Sequence, residues 1–266
     1  MHTGPIHTRP IHTRISACTL ALLIGALCAM APAMAPAQTA RPYLDHEPSI
    51  ATWLPAQPAL GDINDTRDIA TFFATRPLAV KDAPRRAVAQ ADDVLSAPTV
   101  AARFGDAAGG PLPTGAGSAL MTVMTRVLAD DGAMLAQLKH DVRDGGRVRP
   151  YVRFPDQPGC DYAVDDRDYH LRDTGSYPSG HATYGWMWGL VLSHLVPERA
   201  DAIMQRAYDF GQSRLICGFH YPADLDAGRL AASALFAQLL TDRAFVKDIE
   251  LARGQVRKAL GFPEAK

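Results

Sequence analysis

Four cysteines in 266 residues are too few for a disulfide-built scaffold, so a hydrophobic core has to carry the fold. Basic residues do not outnumber acidic ones. The 27 Lys and Arg stand against 28 Asp and Glu, a formal charge of −1, and no dense basic stripe of the kind a nucleic-acid binder needs is present. Runs of alternating apolar and polar residues are missing too, which excludes a fold built on half-buried strands. Metal-ligand spacing is absent as well. Asp161, Asp165, Asp166 and Asp168 cluster, but they match no calcium-loop pattern and read as a solvated rim.

What is present begins with a secretory leader. Residues 1–37 carry Arg9 and Arg14 and no acid, then an apolar stretch from Ile15 to Met30, then Ala35-Pro36-Ala37 before Gln38. That order of charge, apolar run and small-residue cleavage site is a signal peptide, and the apolar run is short for a membrane span. Its removal leaves 229 residues, enough for one substantial domain over 38–266, with 25 basic and 28 acidic residues and a charge of −3. Cys18 and Cys28 leave with the leader. Cys160 and Cys217 remain as an even pair in an oxidising compartment, and we expect them to form one disulfide.

Three stretches carry chemistry. Ser213 to Asp224 places a hydroxyl, the Arg214 guanidinium, the His220 imidazole and the Asp224 carboxylate within twelve residues. Pro222 suits the first turn of a helix, where its missing N–H has no partner to lose. Asp224 lies four residues beyond His220, close enough to hold one ring nitrogen and leave the other as a base or nucleophile. Gly175 to His181 (Gly-Ser-Tyr-Pro-Ser-Gly-His) precedes the apolar run Ala182 to Val196. Ser179, Gly180 and His181 therefore sit where a helix begins, and free N–H groups there attract anions. The third stretch is Arg147-Val-Arg149-Pro150, with Lys139 and Arg143 upstream. Taken singly, each stretch also reads as a capped helix, a Pro-Ser-Gly turn or a solvated basic run.

Together and in this order they resemble the signature of the PAP2-type acid phosphatase superfamily: Lys, six residues, Arg-Pro; then Pro-Ser-Gly-His; then Ser-Arg, five residues, His, three residues, Asp. Pro178-Ser179-Gly180-His181 matches the second block, Ser213-Arg214 with His220 and Asp224 the third, and Arg149-Pro150 the end of the first. Gly175-Ser-Tyr before Pro178, export and size are similar to the bacterial class A non-specific acid phosphatases. The first block departs from the pattern. Val142 stands seven residues before Arg149, where the lysine belongs, and Lys139 stands ten before it. Either three inserted residues bulge out and leave Lys139 in place, or Arg143 or Arg147 takes the cationic role.

The resemblance implies a single-domain all-α bundle of the kind shared by these phosphatases and the vanadium haloperoxidases. It implies hydrolysis of phosphate monoesters through a phosphohistidine. His220 would be the nucleophile, Asp224 its orienting partner and His181 the proton donor. Lys139, Arg149, Ser179, Gly180 and Arg214 would hold the phosphoryl oxygens. It implies no required cofactor or metal, and vanadate as a phosphate-mimicking inhibitor. Small phosphomonoesters are the expected partners, with no nucleic acid, no integral membrane segment after leader removal, and a periplasmic or secreted location. The superfamily also contains lipid-phosphate and pyrophosphate phosphatases and vanadate-dependent haloperoxidases. The lack of further spans, and the greater length usual for the haloperoxidases, argue against those two. Oligomeric state, the preferred ester and the balance of phosphotransfer to hydrolysis are not written in the sequence.

Periodicity agrees with an all-α chain. Ser118 to His140 has Leu120, Val123, Met124, Val127, Leu128, Met134, Leu135 and Leu138 at helical spacing, with Asp130-Asp131-Gly132 as a potential break. Ala182 to Val196 is apolar nearly all round, as a buried central helix is. Residues 62–76, 79–104, 198–212, 226–240 and 241–260 also read as helical, and Gln38 to Leu60 as an extended arm. His46, His140, His170 and His194 have no motif around them and read as structural or surface residues.

Overall fold

The computed structural model describes residues 1, 41–45, 50–52, 54–80, 83–160 and 171–263. The leader read at 1–37 and the acidic cluster at 161–168 lie outside the described residues, apart from Met1. The remaining described residues belong to one compact unit, Thr39–Lys266.

Helices α1 (Ile63–Val80), α2 (Ala83–Ala91), α3 (Ala97–Ala108) and α4 (Ala119–Leu138) are followed by a short α5 (Pro150–Arg153). Then come α6 (Gly180–Leu195), α7 (Ala200–Cys217), α8 (Pro222–Leu239) and α9 (Arg243–Leu260). Among the described residues there is no strand, only an isolated bridge between Asp141 and Thr174. The fold is all-α. No described helix is long and apolar enough to cross a membrane.

The centre is α6. Tyr184, Met187, Trp188, Val191, Leu192 and Leu195 are all sealed from solvent. Each such side chain contributes roughly 1.5–3 kcal/mol relative to its exposed state, which makes this helix the natural anchor of the core. It packs on α7 and α8 and touches α4 and α9. The close pairing with α7 depends on two glycines one turn apart. A β-carbon on Gly189 would lie 2.5 Å from Ala207 Cβ, and one on Gly185 would lie 2.4 Å from the Phe210 ring. Phe104 of α3 stacks on Trp188 at 6.0 Å between ring centres.

Helix ends follow local chemistry. Ser118 Oγ accepts from Met121 N at 3.2 Å, and Asp242 Oδ1 accepts from Phe245 N at 2.8 Å. The sequence allowed a break at Asp130-Asp131-Gly132, but α4 runs through it. Asp130 is instead the anchor of the N-terminal arm, accepting from Tyr43 N and Leu44 N at 2.9 Å each. That long-range use keeps the carboxylate from competing for its own helix backbone.

Candidate active site

Four elements bring the motif residues together. Helix α7 ends at Gly218, whose φ of 84° suits glycine. The turn it makes leads directly to Phe219 and His220, just before α8. The Cys160–Cys217 disulfide ties this end to the loop after α5, across 57 residues of sequence, and Cys160 N donates to Cys217 O at 3.3 Å. Ser179 caps α6, its hydroxyl accepting from Ala182 N at 3.3 Å. Its own N–H donates to Asp224 O at 3.0 Å and so links the two helix starts.

A cavity of about 290 Å³ opens at this junction, lined by Lys139, Arg149, Gly180, His181, Arg214 and His220 on its polar side. Leu95, Leu128 and Leu171 make an apolar wall. Ser179 and Asp224 stand just behind, fully buried.

The orientation of His220 is defined by its neighbours. Arg149 Nη1 lies 3.2 Å from Nε2. A guanidinium has only donors, so Nε2 is the bare, accepting nitrogen and Nδ1 carries the proton. Nδ1 faces Asp224 Oδ2 at 3.5 Å, a charge contact somewhat longer than a full hydrogen bond. Burial, with the charges of Arg149 and Lys139, outweighs Asp224 and pushes the imidazole down to about 3. The ring is therefore neutral except in strong acid. Burial alone would raise Asp224. The His220 contact, Arg147 and the Tyr221 N–H (2.9 Å) together hold its carboxyl at about 2.

The ten-residue spacing from Lys139 to Arg149 has a structural answer. Val142–Asp144 forms a single 3-10 turn, closed by Gly145 at φ 90°, and Gly146 then packs against the His140 carbonyl where a β-carbon would lie 2.1 Å away. The chain returns to where it left, and Lys139 lines the cavity, its Nζ donating to Pro178 O at 2.6 Å and Gly175 O at 3.1 Å. It keeps some solvent contact as part of the cavity wall. Burial and the nearby Arg149 charge nevertheless lower its ammonium to about 7.

The two alternative cations are elsewhere. Arg143 is exposed and paired with Asp141 and Asp144. Arg147 is buried behind the site, its fork held by Asp68 at 2.7 Å, Asp224 at 2.9 Å and Asp65 at 3.1 Å, and its plane 4.0 Å above the Tyr221 ring. With three carboxylates on it, Arg147 has no face left for an anion, and the cavity wall contains neither arginine. Nothing in the local sequence separates Arg147 from Arg149, because the carboxylates that claim Arg147 arrive from α1 (Asp65 and Asp68) and α8 (Asp224).

Arg149 is steadied by Leu171 O at 2.9 Å and by Thr174 and Gly175. Arg214 lies over the Phe219 ring at 4.1 Å. His181 Nε2 is 2.8 Å from the backbone oxygen of Asp93, so Nε2 carries a proton and Nδ1 is the nitrogen that titrates. Burial and Arg214 push His181 well below the usual imidazole range, with Asp93 pulling the other way.

Asp93 is the residue that sequence reasoning missed. Its carboxylate pairs with Arg214 and lies 3.6 Å from His181 Nε2, and it lines the same cavity. The neighbouring Asp92 is turned away, accepting from Ser213 Oγ at 2.6 Å and pairing with Arg206. Two adjacent acids after a helix carry no signal of this division of labour. Ser213 is thus structural.

Comparison with known proteins places this arrangement. The family model described as the PAP2 superfamily matches residues 135–246, which contain all three motif blocks. A non-specific acid phosphatase of Providencia stuartii is 34% identical over 205 residues, covering 77% of this chain and 79% of that protein. An acid phosphatase of Zymomonas mobilis is 37% identical over 207 residues, 78% of this chain and 75% of that protein. A non-specific acid phosphatase of Salmonella typhimurium is 33% identical over 224 residues, covering 83% and 86%. The similarity to these relatives covers most of the chain, and the protein belongs to the PAP2 superfamily.

Proposed function

We propose that this chain is an exported acid phosphatase that hydrolyses phosphate monoesters through a phosphohistidine on His220. The observation that carries the reading is the state of His220. Its Nε2 lone pair, marked by the Arg149 donor, faces a cavity walled by Lys139, Arg149 and Arg214, while Asp224 lies behind Nδ1. The names of the relatives point to the same activity. The leader at 1–37 and the disulfide fit a periplasmic or secreted location.

Nε2 attacks phosphorus while the bond to the ester oxygen breaks, and His181 Nδ1–H gives its proton to the departing oxygen. A water then attacks the phosphohistidine, His181 takes its proton, and the P–N bond breaks to release phosphate. Asp224 supports the positive charge that His220 acquires. Lys139, Arg149, Arg214 and the N-terminal amides of α6 at Gly180 hold the equatorial oxygens, where the charge of the transition state is spread. Ser179 sets that helix start. The scheme uses protein groups alone, and vanadate is expected to inhibit as a mimic of the five-coordinate phosphorus.

The pH direction follows. His220 stays neutral down to about 3, Lys139 is charged below about 7, and lowered His181 is protonated only in acid. All three conditions meet on the acid side of neutrality.

The test is p-nitrophenyl phosphate hydrolysis by the chain lacking residues 1–37 across pH 4 to 9, with EDTA, beside His220→Ala. Phosphoenzyme is trapped in parallel from a labelled substrate and challenged with acid and with base. EDTA-resistant turnover with an acid optimum and a base-stable phosphoenzyme, both lost in the variant, supports the reading. Turnover surviving in His220→Ala removes the nucleophile assignment. No turnover by folded protein removes the phosphomonoesterase reading and turns attention to lipid phosphates and halide oxidation.

A further inference from the structure

Among the described residues that line the cavity, Asp93 is the one acid, and it sits on a cation that the proposed mechanism needs. Its Oδ1 pairs with Arg214 Nη1 and lies 3.6 Å from His181 Nε2, while its backbone oxygen accepts from the same Nε2 at 2.8 Å. The carboxylate comes from the loop after α2, and the partners from α7 and α6, so three elements meet at this point. Its side chain is 31% exposed, whereas that of Arg214 is 1% exposed. The arginine is enclosed, and the carboxylate is the more exposed member of the pair. An incoming phosphoryl group and the Asp93 carboxylate are both oxyanions seeking the same planar fork of donors.

We propose that Asp93 is an internal counter-anion and a charge-selecting residue. It holds Arg214 and His181 in register while the cavity is empty, gives up Arg214 to the phosphoryl group, and then opposes that group's charge from the cavity wall. This inference rests on the phosphatase reading and deepens it. The favoured ligand is the singly charged phosphate ester, and the doubly charged product is bound more weakly than the cluster of cations alone would bind it. Asp93 would thereby limit product inhibition near neutrality.

The repulsion is proportional to the ligand's charge, so a dianion feels about twice the free energy that a monoanion feels. Removing the Asp93 charge therefore multiplies affinity by some factor for a monoanion and by about the square of that factor for a dianion. A structural role alone would not produce that split. Among the described residues, the other titratable and charged groups of the cavity are Arg214 and His181, in contact with Asp93, and Lys139, Arg149 and His220 around the same space. Comparing each variant with the unmodified protein at one pH cancels the ligand's own titration, and Asp93→Glu, which keeps the charge beside His181 and Arg214, controls for changes in the titration of the groups around it.

The experiment is calorimetric binding of inorganic phosphate at about pH 5 and about pH 8 to unmodified protein, Asp93→Asn and Asp93→Glu, with inhibition of p-nitrophenyl phosphate hydrolysis measured in parallel. For Asp93→Asn we expect affinity to rise about threefold at the lower pH and about tenfold at the higher. For Asp93→Glu, which keeps the charge, we expect both values to stay within about threefold of the unmodified protein. Equal factors at the two pH values, or weaker binding by Asp93→Asn at the higher pH, overturn the proposal. If neither Asp93→Asn nor Asp93→Ala accumulates as folded protein, it is also overturned, because a carboxylate needed for folding is not one a ligand displaces. Unmodified protein that neither binds phosphate nor turns over substrate sinks the phosphatase reading and this inference together. Unmodified protein that does both, with no tightening in Asp93→Asn, sinks only this inference.

Discussion

Replacing Arg147 by glutamine tests how the site is held from behind. The guanidinium is 6% exposed and bonded to Asp65, Asp68 and Asp224, whose side chains are 2%, 6% and 0% exposed. Arg153 still covers Asp65, at 2.9 Å, and the Ala223 N–H still reaches Asp68, at 3.1 Å. Asp224 and Asp68 nevertheless lose their cation in a dry place. Breaking a buried ion pair by removing one partner costs about 3–5 kcal/mol, because the other charge is left uncompensated. For a domain of this size 1 kcal/mol moves the midpoint by roughly 2–4 °C, so a loss of about 4 kcal/mol lowers Tm by about 8–16 °C. The pH dependence identifies the cause. Asp224 is held below its ordinary range in the folded protein, so its ionisation contributes stability that is fully present above about pH 4 and is lost as the pH falls toward 2. Asp68 is already raised by burial, and without Arg147 it rises further and takes up a proton as the medium becomes acidic. The gap between the two proteins should therefore be widest near pH 7 and close toward acid. Urea unfolding at pH 7 and pH 4 measures it. A loss below about 1 kcal/mol at pH 7, or one that does not change with pH, would refute the argument that Arg147 acts by charge compensation.

Three further outcomes follow from the same structure. Lys139→Gln should lower kcat/KM by about 10²–10³, the usual effect of deleting one oxyanion donor, and should remove the ionisation near pH 7 from the alkaline limb of the pH profile. Cys160→Ser opens a loop of 57 residues and should cost about 4 kcal/mol in oxidised protein, with no difference from the unmodified chain once both are reduced. Gly189→Val brings a β-carbon to 2.5 Å from Ala207 and should destabilise by about 3 kcal/mol through displaced α7, read as a lower urea midpoint with an unchanged slope.

The motif residues are legible in the amino-acid sequence because their spacing is local. Asp224 lies four positions beyond His220 across a helix start, and Ser179 to His181 open the apolar α6. Apolar periodicity likewise marks α4 and α9, since a helix that buries one face leaves that need in its sequence, while α6 shows as a run apolar nearly all round, as a helix buried on every side does. Boundaries are less exact. Helix α7 continues to Cys217 rather than stopping at residue 212, because its last turn is packed against the disulfide loop.

What the sequence by itself determined, then, was the helical class and the cysteine pair, which follow from short-range pattern and composition, while His181 and His220 were singled out by the resemblance of their motifs to a known signature. Which cation enters the cavity was decided only in three dimensions. Asp65 and Asp68, some 80 residues away, claim Arg147, and the 3-10 turn at Val142–Asp144 folds back so that Lys139 fills the wall. Asp93 is the same case in reverse: it meets Arg214 across 121 residues, with nothing in its neighbours to announce it. A charge's role depends on which opposite charges share its desolvated space, and packing alone settles that.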